Sequence, residues 1–120
     1  MYEQVGGLDF FVTLVDAFYE RVAVDETLRP MYPDDLSESR RRLSLFLAQY
    51  WGGPPTYQAE RGHPRLRMRH AAFRITTSAR DAWLSAMTSA LDSVRTRLSD
   101  EQYEEFSDYF DMAARQLRNV

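Results

Sequence analysis

Two side chains in this chain can offer a neutral nitrogen to a metal and change charge near pH 7: His63 and His70. His63 precedes Pro64, whose ring disfavours helical backbone at the residue before it, so His63 reads as a surface-loop residue. His70 stands among Leu66, Ala71, Phe73 and Ile75 and is the histidine placed to look inward. Spacing alone leaves open both a metal ligand and a hydrogen-bonded histidine at the core boundary. Other chemistries find less support. A hydrolytic zinc site needs about three protein ligands, and there is neither a His-Glu-x-x-His pattern nor a pair of histidines on one helix face. A nucleophilic serine would sit on a strained glycine-flanked turn, and no such serine occurs. Gly6-Gly7 and Gly52-Gly53 lack phosphate-loop spacing and read as turns. Arg65, Arg67 and Arg69 alternate with Leu66, Met68 and His70, which could serve an anionic ligand or merely form a solvated helix face.

Composition narrows the setting. With 15 lysines and arginines against 18 acidic residues the net charge is -3, so no strong field favours nucleic acid or an anionic membrane. There is no cysteine, which excludes disulfides and thiolate sites and leaves His, Asp, Glu or Tyr to hold any metal. The amino terminus lacks a basic start and a long apolar run, and no window approaches the roughly 20 apolar residues of a transmembrane segment; a cytoplasmic protein is expected. A length of 120 residues fits one domain, 1–120, with one core.

Those residues need elements to hold them, and the periodicity is helical throughout. From about residue 9 to 22, Phe11, Leu14, Val15, Phe18, Tyr19 and Val22 recur at three- and four-residue spacing. Pro30 and Pro33 mark a helical turn running into a corner. From about 36 to 51, Leu36, Leu43, Phe46, Leu47 and Tyr50 face one way, and Gly52-Gly53-Pro54-Pro55 ends the helix. A polar loop is expected to run on to Pro64, which opens a short helix carrying His70. Ser78 and Asp81 have capping-box spacing ahead of an unbroken stripe of Trp83, Met87, Ala90, Leu91, Val94 and Leu98. Ser99 and Gln102 repeat the box before a last helix marked by Tyr103, Phe106, Phe110, Ala113 and Leu117. No strand pattern and no internal repeat appear, so the class is all-α, with four main helices and two short ones.

The segment Tyr50-Trp51-Gly52-Gly53-Pro54, followed by His63-Pro64-Arg65-Leu66-Arg67-Met68-Arg69-His70 and Phe73-Arg74-Ile75, closely resembles the group II truncated haemoglobins. Gly6-Gly7, Phe18-Tyr19, Tyr32-Pro33 and Asp81-Ala82-Trp83-Leu84 extend the resemblance over essentially the whole chain. It implies a shortened globin fold, a two-over-two helical sandwich around haem b, iron protoporphyrin IX.

The resemblance makes His70 the proximal ligand of a five-coordinate iron, a role that imidazole chemistry permits. It places Tyr19, Tyr32 and Trp83 as distal hydrogen-bonding groups facing a diatomic ligand that carries partial negative charge. Ser39 takes the position of the distal histidine of larger globins, and Leu43 and Phe46 follow it on the distal wall. Phe73, Ile75 and Met87 are expected to pack on the proximal side, and Arg69, Arg67 and Tyr57 to meet the anionic propionates, Arg69 first.

Oxygen binding and transport is the functional class this implies, with nitric oxide and carbon monoxide as further ligands. Each distal donor contributes about 1–1.5 kcal/mol, so oxygen should be held tightly and released slowly. Slow release suits a sensor, a scavenger or an enzyme better than delivery. The alternative is redox turnover, peroxidase-like or nitric oxide dioxygenase activity, supplied with electrons by a reductase; dedicated peroxidases use a distal histidine that is missing here. Apolar surface on the last helix would suit a homodimer.

Overall fold

The computed structural model describes residues 1–62 and 75–117. The short helix expected to start at Pro64, both histidines and the alternating arginines lie outside the described residues. Helix α1 spans Leu8–Val22 and follows Gly7, whose φ of 67° is in the left-handed region that glycine enters without strain. Its inward face is Phe10, Phe11, Leu14, Val15, Phe18, Tyr19 and Val22. Each such fully buried side chain contributes about 1.5–3 kcal/mol of apolar transfer, which makes α1 the central helix of the fold.

A corner follows. Asp25 Oδ1 accepts the backbone N–H groups of Thr27 and Leu28, both at 2.9 Å, and leads into a 3₁₀ turn at Arg29–Met31. The Arg29 guanidinium then donates to the carbonyls of Tyr32, Pro33 and Asp34 at 3.3, 3.0 and 2.8 Å. Five donors on one planar head can thus fasten a proline-broken segment that has no ladder of its own.

Helix α2, Ser37–Tyr50, closes at Trp51, where Gly53 N donates to Ala48 O at 2.8 Å. The stretch expected as a polar loop after the prolines instead contains helix α3, Thr56–Arg61. Six residues are too few to hold a helix unaided. Its stability comes from α2: Gln49 Oε1 accepts Gln58 N at 2.9 Å, and Arg41 makes two bonds of 2.6 Å to the Glu60 carboxylate. Composition carries no trace of those contacts.

Helix α4 spans Thr77–Ser93, and its cap is Thr76, whose hydroxyl accepts Ala79 N at 3.1 Å. The Ser78–Asp81 box is not used; Asp81 pairs with Arg80 at 2.9 Å instead. The expected stripe does not stay in one helix to Leu98. The helix gives way to a 3₁₀ turn, Arg95–Arg97, yet Val94 and Leu98 on either side of it are still buried. Ser99 and Gln102 do form the reciprocal box, at 2.9 and 3.1 Å, and start helix α5, Asp100–Leu117. On α5 the buried positions are Phe106, Phe110 and Ala114 rather than Ala113, because successive steps of four keep one face.

Helix α1 packs against α2 and α4, and α4 against α5, so the pair α1–α2 meets the pair α4–α5. Among the described residues there is no strand, and no helix is long and apolar enough to cross a membrane. The all-helical class and the two-over-two arrangement are as expected. At one end the pairs are joined by aromatic rings: Trp51 lies 6.1 Å from Phe11, 4.4 Å from Phe106 and 4.9 Å from Tyr109, and its Nε1–H donates to Glu105 at 2.8 Å.

The turn after α2 is packed hard against this cluster. A Cβ on Gly53 would come within 2.7 Å of both Ala48 O and the Tyr2 ring. Tyr2 is held there by its own N–H to Trp51 O at 3.0 Å. Gly53→Ala should therefore cost about 1–3 kcal/mol of overpacking, read as a drop in Tm of several degrees in thermal melts. Gly52→Ala has nothing within 4 Å of its Cβ but sits at φ 96°, so its loss would report backbone strain alone.

Candidate haem pocket

At the other end the same helices leave a cavity of about 390 Å³. Helix α1 gives it Tyr19; the corner gives Leu28, Met31, Tyr32 and Pro33; and α2 gives Ser39, Arg42, Leu43 and Phe46. Tyr57 and Arg61 come from α3, Ile75 from the residues before α4, and Ala79, Arg80 and Trp83 from α4, while Ala114 is the contribution of α5. The wall is mostly apolar, with hydroxyl and indole groups at a few points and arginines on three elements.

The polar points are grouped. The Tyr19 and Tyr32 rings meet edge to face at 5.6 Å, and Trp83 packs edge-on to Phe18 at 5.7 Å. Burial pushes the Tyr19 phenol well above its usual range, and the neighbouring Tyr32 adds to the rise. The Arg40 cation, 5.8 Å over the Tyr19 ring, and a hydrogen bond from Ser39 act in the opposite direction. Burial outweighs both, so the Tyr19 phenol keeps its proton. Arg40 is itself held by Asp16 at 3.1 Å. Burial pushes Tyr32 up to about 12. Both phenols are thus neutral donors at any physiological pH.

Eight of the expected site residues converge on this wall: Tyr19, Tyr32, Trp83, Ser39, Leu43, Phe46, Tyr57 and Ile75. Met87 does not line it; one turn beyond Trp83, it is fully buried in the core. His70, Arg67, Arg69 and Phe73 lie outside the described residues. The sequence reading missed Arg42, Arg61 and Arg80. Arg42 stands three residues after Ser39, and Arg80 three before Trp83, so helical spacing from recognised wall residues could have found both. Arg61 is one turn after Tyr57 and was hidden because its segment read as loop. Nothing local marks Ala114.

These residues fit a haem. A mostly apolar cavity of this size lies within the roughly 300–1,000 Å³ of ligand sites, and it suits a flat apolar macrocycle. Arginines on α2, α3 and α4 suit an anionic edge; Arg42 and Arg80 already pair outward with Glu38 at 3.4 Å and Asp81 at 2.9 Å. Among the described residues no three His, Asp or Glu side chains converge as a metal site would need.

A shortened globin fold with a haem-type pocket is the class that the helices and cavity define. The chain matches the bacterial-like globin family over residues 1–119 and belongs to it, as a group II truncated haemoglobin. It is 52% identical over 93 residues to the group 2 truncated hemoglobin YjbI of Bacillus subtilis, covering 78% of this chain and 70% of that protein. Among solved structures, a thermostable hemoglobin from Thermobifida fusca superposes with a TM-score of 0.95 at 48% identity, covering 99% of this chain and 96% of that one. A truncated oxygen-avid haemoglobin from Bacillus subtilis superposes with a TM-score of 0.91 at 46% identity, covering 98% of each chain.

Burial of Tyr32 has a consequence for stability. Its folded pKa of about 12 exceeds the ordinary 10.0, so the folded state favours the protonated phenol. Stability tied to that proton is complete below pH 10.0 and is lost as the pH rises towards about 12. Thermal melts across that window should fall steeply for the parent and less steeply for Tyr32→Phe.

Proposed function

We propose that the protein binds haem b with the His70 imidazole as its axial ligand and reversibly takes up oxygen, along with nitric oxide and carbon monoxide, on the side of Tyr19. When bound, haem supplies an iron with an open coordination position for a diatomic molecule. The observation that carries this reading is the grouping of the Tyr19, Tyr32 and Ser39 side chains on one mostly apolar wall. Such a wall excludes water and leaves a few donors to act on whatever carries negative charge in the cavity.

Tyr19 is the principal donor in this reading, because the central helix holds it on the cavity wall and burial keeps its phenol protonated. Arg40, paired with Asp16 and set over the ring, biases the phenol towards giving that proton. Tyr32 and Trp83 flank it, while Leu43 and Phe46 keep the wall dry. Arg42, Arg61 and Arg80, with Tyr57 beside them and Arg69 and Arg67 from the His70 segment, would hold the anionic edge. Tight oxygen binding follows from this donor set, and the similar Bacillus subtilis structure is described as oxygen-avid.

Absorption spectra test the reading. Titration with haem should give a Soret band in the parent, and His70→Ala should lose or shift it; no haem uptake by the parent overturns the proposal. Replacing one donor in Tyr19→Phe should speed oxygen dissociation roughly tenfold, as expected for the loss of about 1.4 kcal/mol, measured by stopped flow. An unchanged rate would remove Tyr19 from the role.

A further inference from the structure

Aromatic rings continue from the cavity wall to the surface. Trp83, which lines the cavity, packs on Phe110 at 6.1 Å between centroids. Phe110 in turn touches Trp51 at 6.2 Å and Tyr109 at 5.7 Å. Both of these rest on Tyr50, at 4.8 and 4.3 Å, and Tyr50 is 52% exposed. Rings in contact thus run from a cavity indole to a phenol in solvent, and a single phenylalanine separates the chain's two tryptophans.

Core packing accounts for Phe106 and Phe110, but two features go beyond it. The series ends on a phenol more than half in water, where apolar burial returns little. In addition, the Trp51 N–H is given to a carboxylate, Glu105 Oε2, at 2.8 Å. Indoles and phenols are the side chains that most readily lose one electron, and an oxidised indole becomes a strong N–H acid. Glu105 is a base already in place for that proton.

We propose that Trp83, Trp51 and the Tyr50–Tyr109 pair form a one-electron relay from the cavity to an outer oxidation site at Tyr50, which serves small water-soluble donors such as phenols. The source of the oxidising equivalent rests on the haem reading, whereas electron movement among the rings does not. A hydroperoxide ROOH reduced in the cavity takes two electrons and two protons and leaves as ROH and water. Each electron drawn from Trp83 is replaced from Trp51, whose N–H proton rests on Glu105 until Tyr50 re-reduces the indole. Tyr50 gives up its electron inward and its phenolic proton to solvent, and a soluble donor AH restores it by giving a hydrogen atom. The sum is ROOH and two AH giving ROH, water and two A radicals, with the two protons lost to solvent equal to the two consumed in the cavity.

Pulse radiolysis of the purified full-length chain tests the relay. Azidyl radicals take one electron from tryptophan and become azide. The indolyl absorption should then decay as the phenoxyl absorption grows, at a first-order rate independent of protein concentration. The double variant Tyr50→Phe/Tyr109→Phe keeps both rings and removes only the hydroxyls, and it should lose most of that phenoxyl yield. An unchanged yield in the double variant, or a rate proportional to protein concentration, overturns the relay. Haem uptake is read separately in the Soret band, so a protein that loads haem but keeps its phenoxyl growth without Tyr50 and Tyr109 refutes the relay alone.

Discussion

Burial of α1 between α2 and α4 is the constraint from which the rest of the structure follows. The helix carries two aromatic ends on one face. Phe10 and Phe11 at its start enter the ring cluster around Trp51 and Phe106, whereas Phe18 and Tyr19 near its end reach Trp83 and the cavity. Because a helix is rigid over this length, packing at the first end sets where the second end points. The position of the Tyr19 hydroxyl is therefore decided partly by contacts on the far side of the molecule.

The two ends are built to opposite specifications. Around Trp51 the rings are in direct contact, and the indole N–H is satisfied by Glu105. Around Tyr19 the helices stand apart, and the hydroxyls and arginines face an opening. Leaving about 390 Å³ unfilled forgoes dispersion contacts that a close-packed interior would make. The fold tolerates that loss because the opposite end is densely packed and because Arg29 and the Arg41–Glu60 pair fasten the segments that form the rim.

Electrostatics at the cavity follow the same division. The Tyr19 phenol is shifted up by burial and by the neighbouring Tyr32, and Arg40 and Ser39 offset only part of that rise, so it stays neutral. Tyr32 has burial alone acting on it and rises to about 12. Two chemically identical side chains 5.6 Å apart thus differ in character through their neighbours.

Much of this was legible in the chain. The three- and four-residue spacing in α1, α2, α4 and α5 marked the long helices, since a buried helix face must repeat at that period. The Ser99–Gln102 box was read correctly because both partners lie within one turn. The family resemblance named Tyr19, Tyr32, Ser39 and Trp83, and all four line the cavity. Helix α3 was not legible, because partners 9 and 19 residues away hold it in place. The true cap of α4, Thr76, lost to a rival pattern at Ser78 that satisfies the same spacing rule, and only the folded backbone chooses between them. Met87 went to the core, and Arg42, Arg61, Arg80 and Ala114 came to the wall, for one reason. Periodicity says which residues share a face, but the cavity is a gap between faces of several helices, and its edges exist only once those helices have packed.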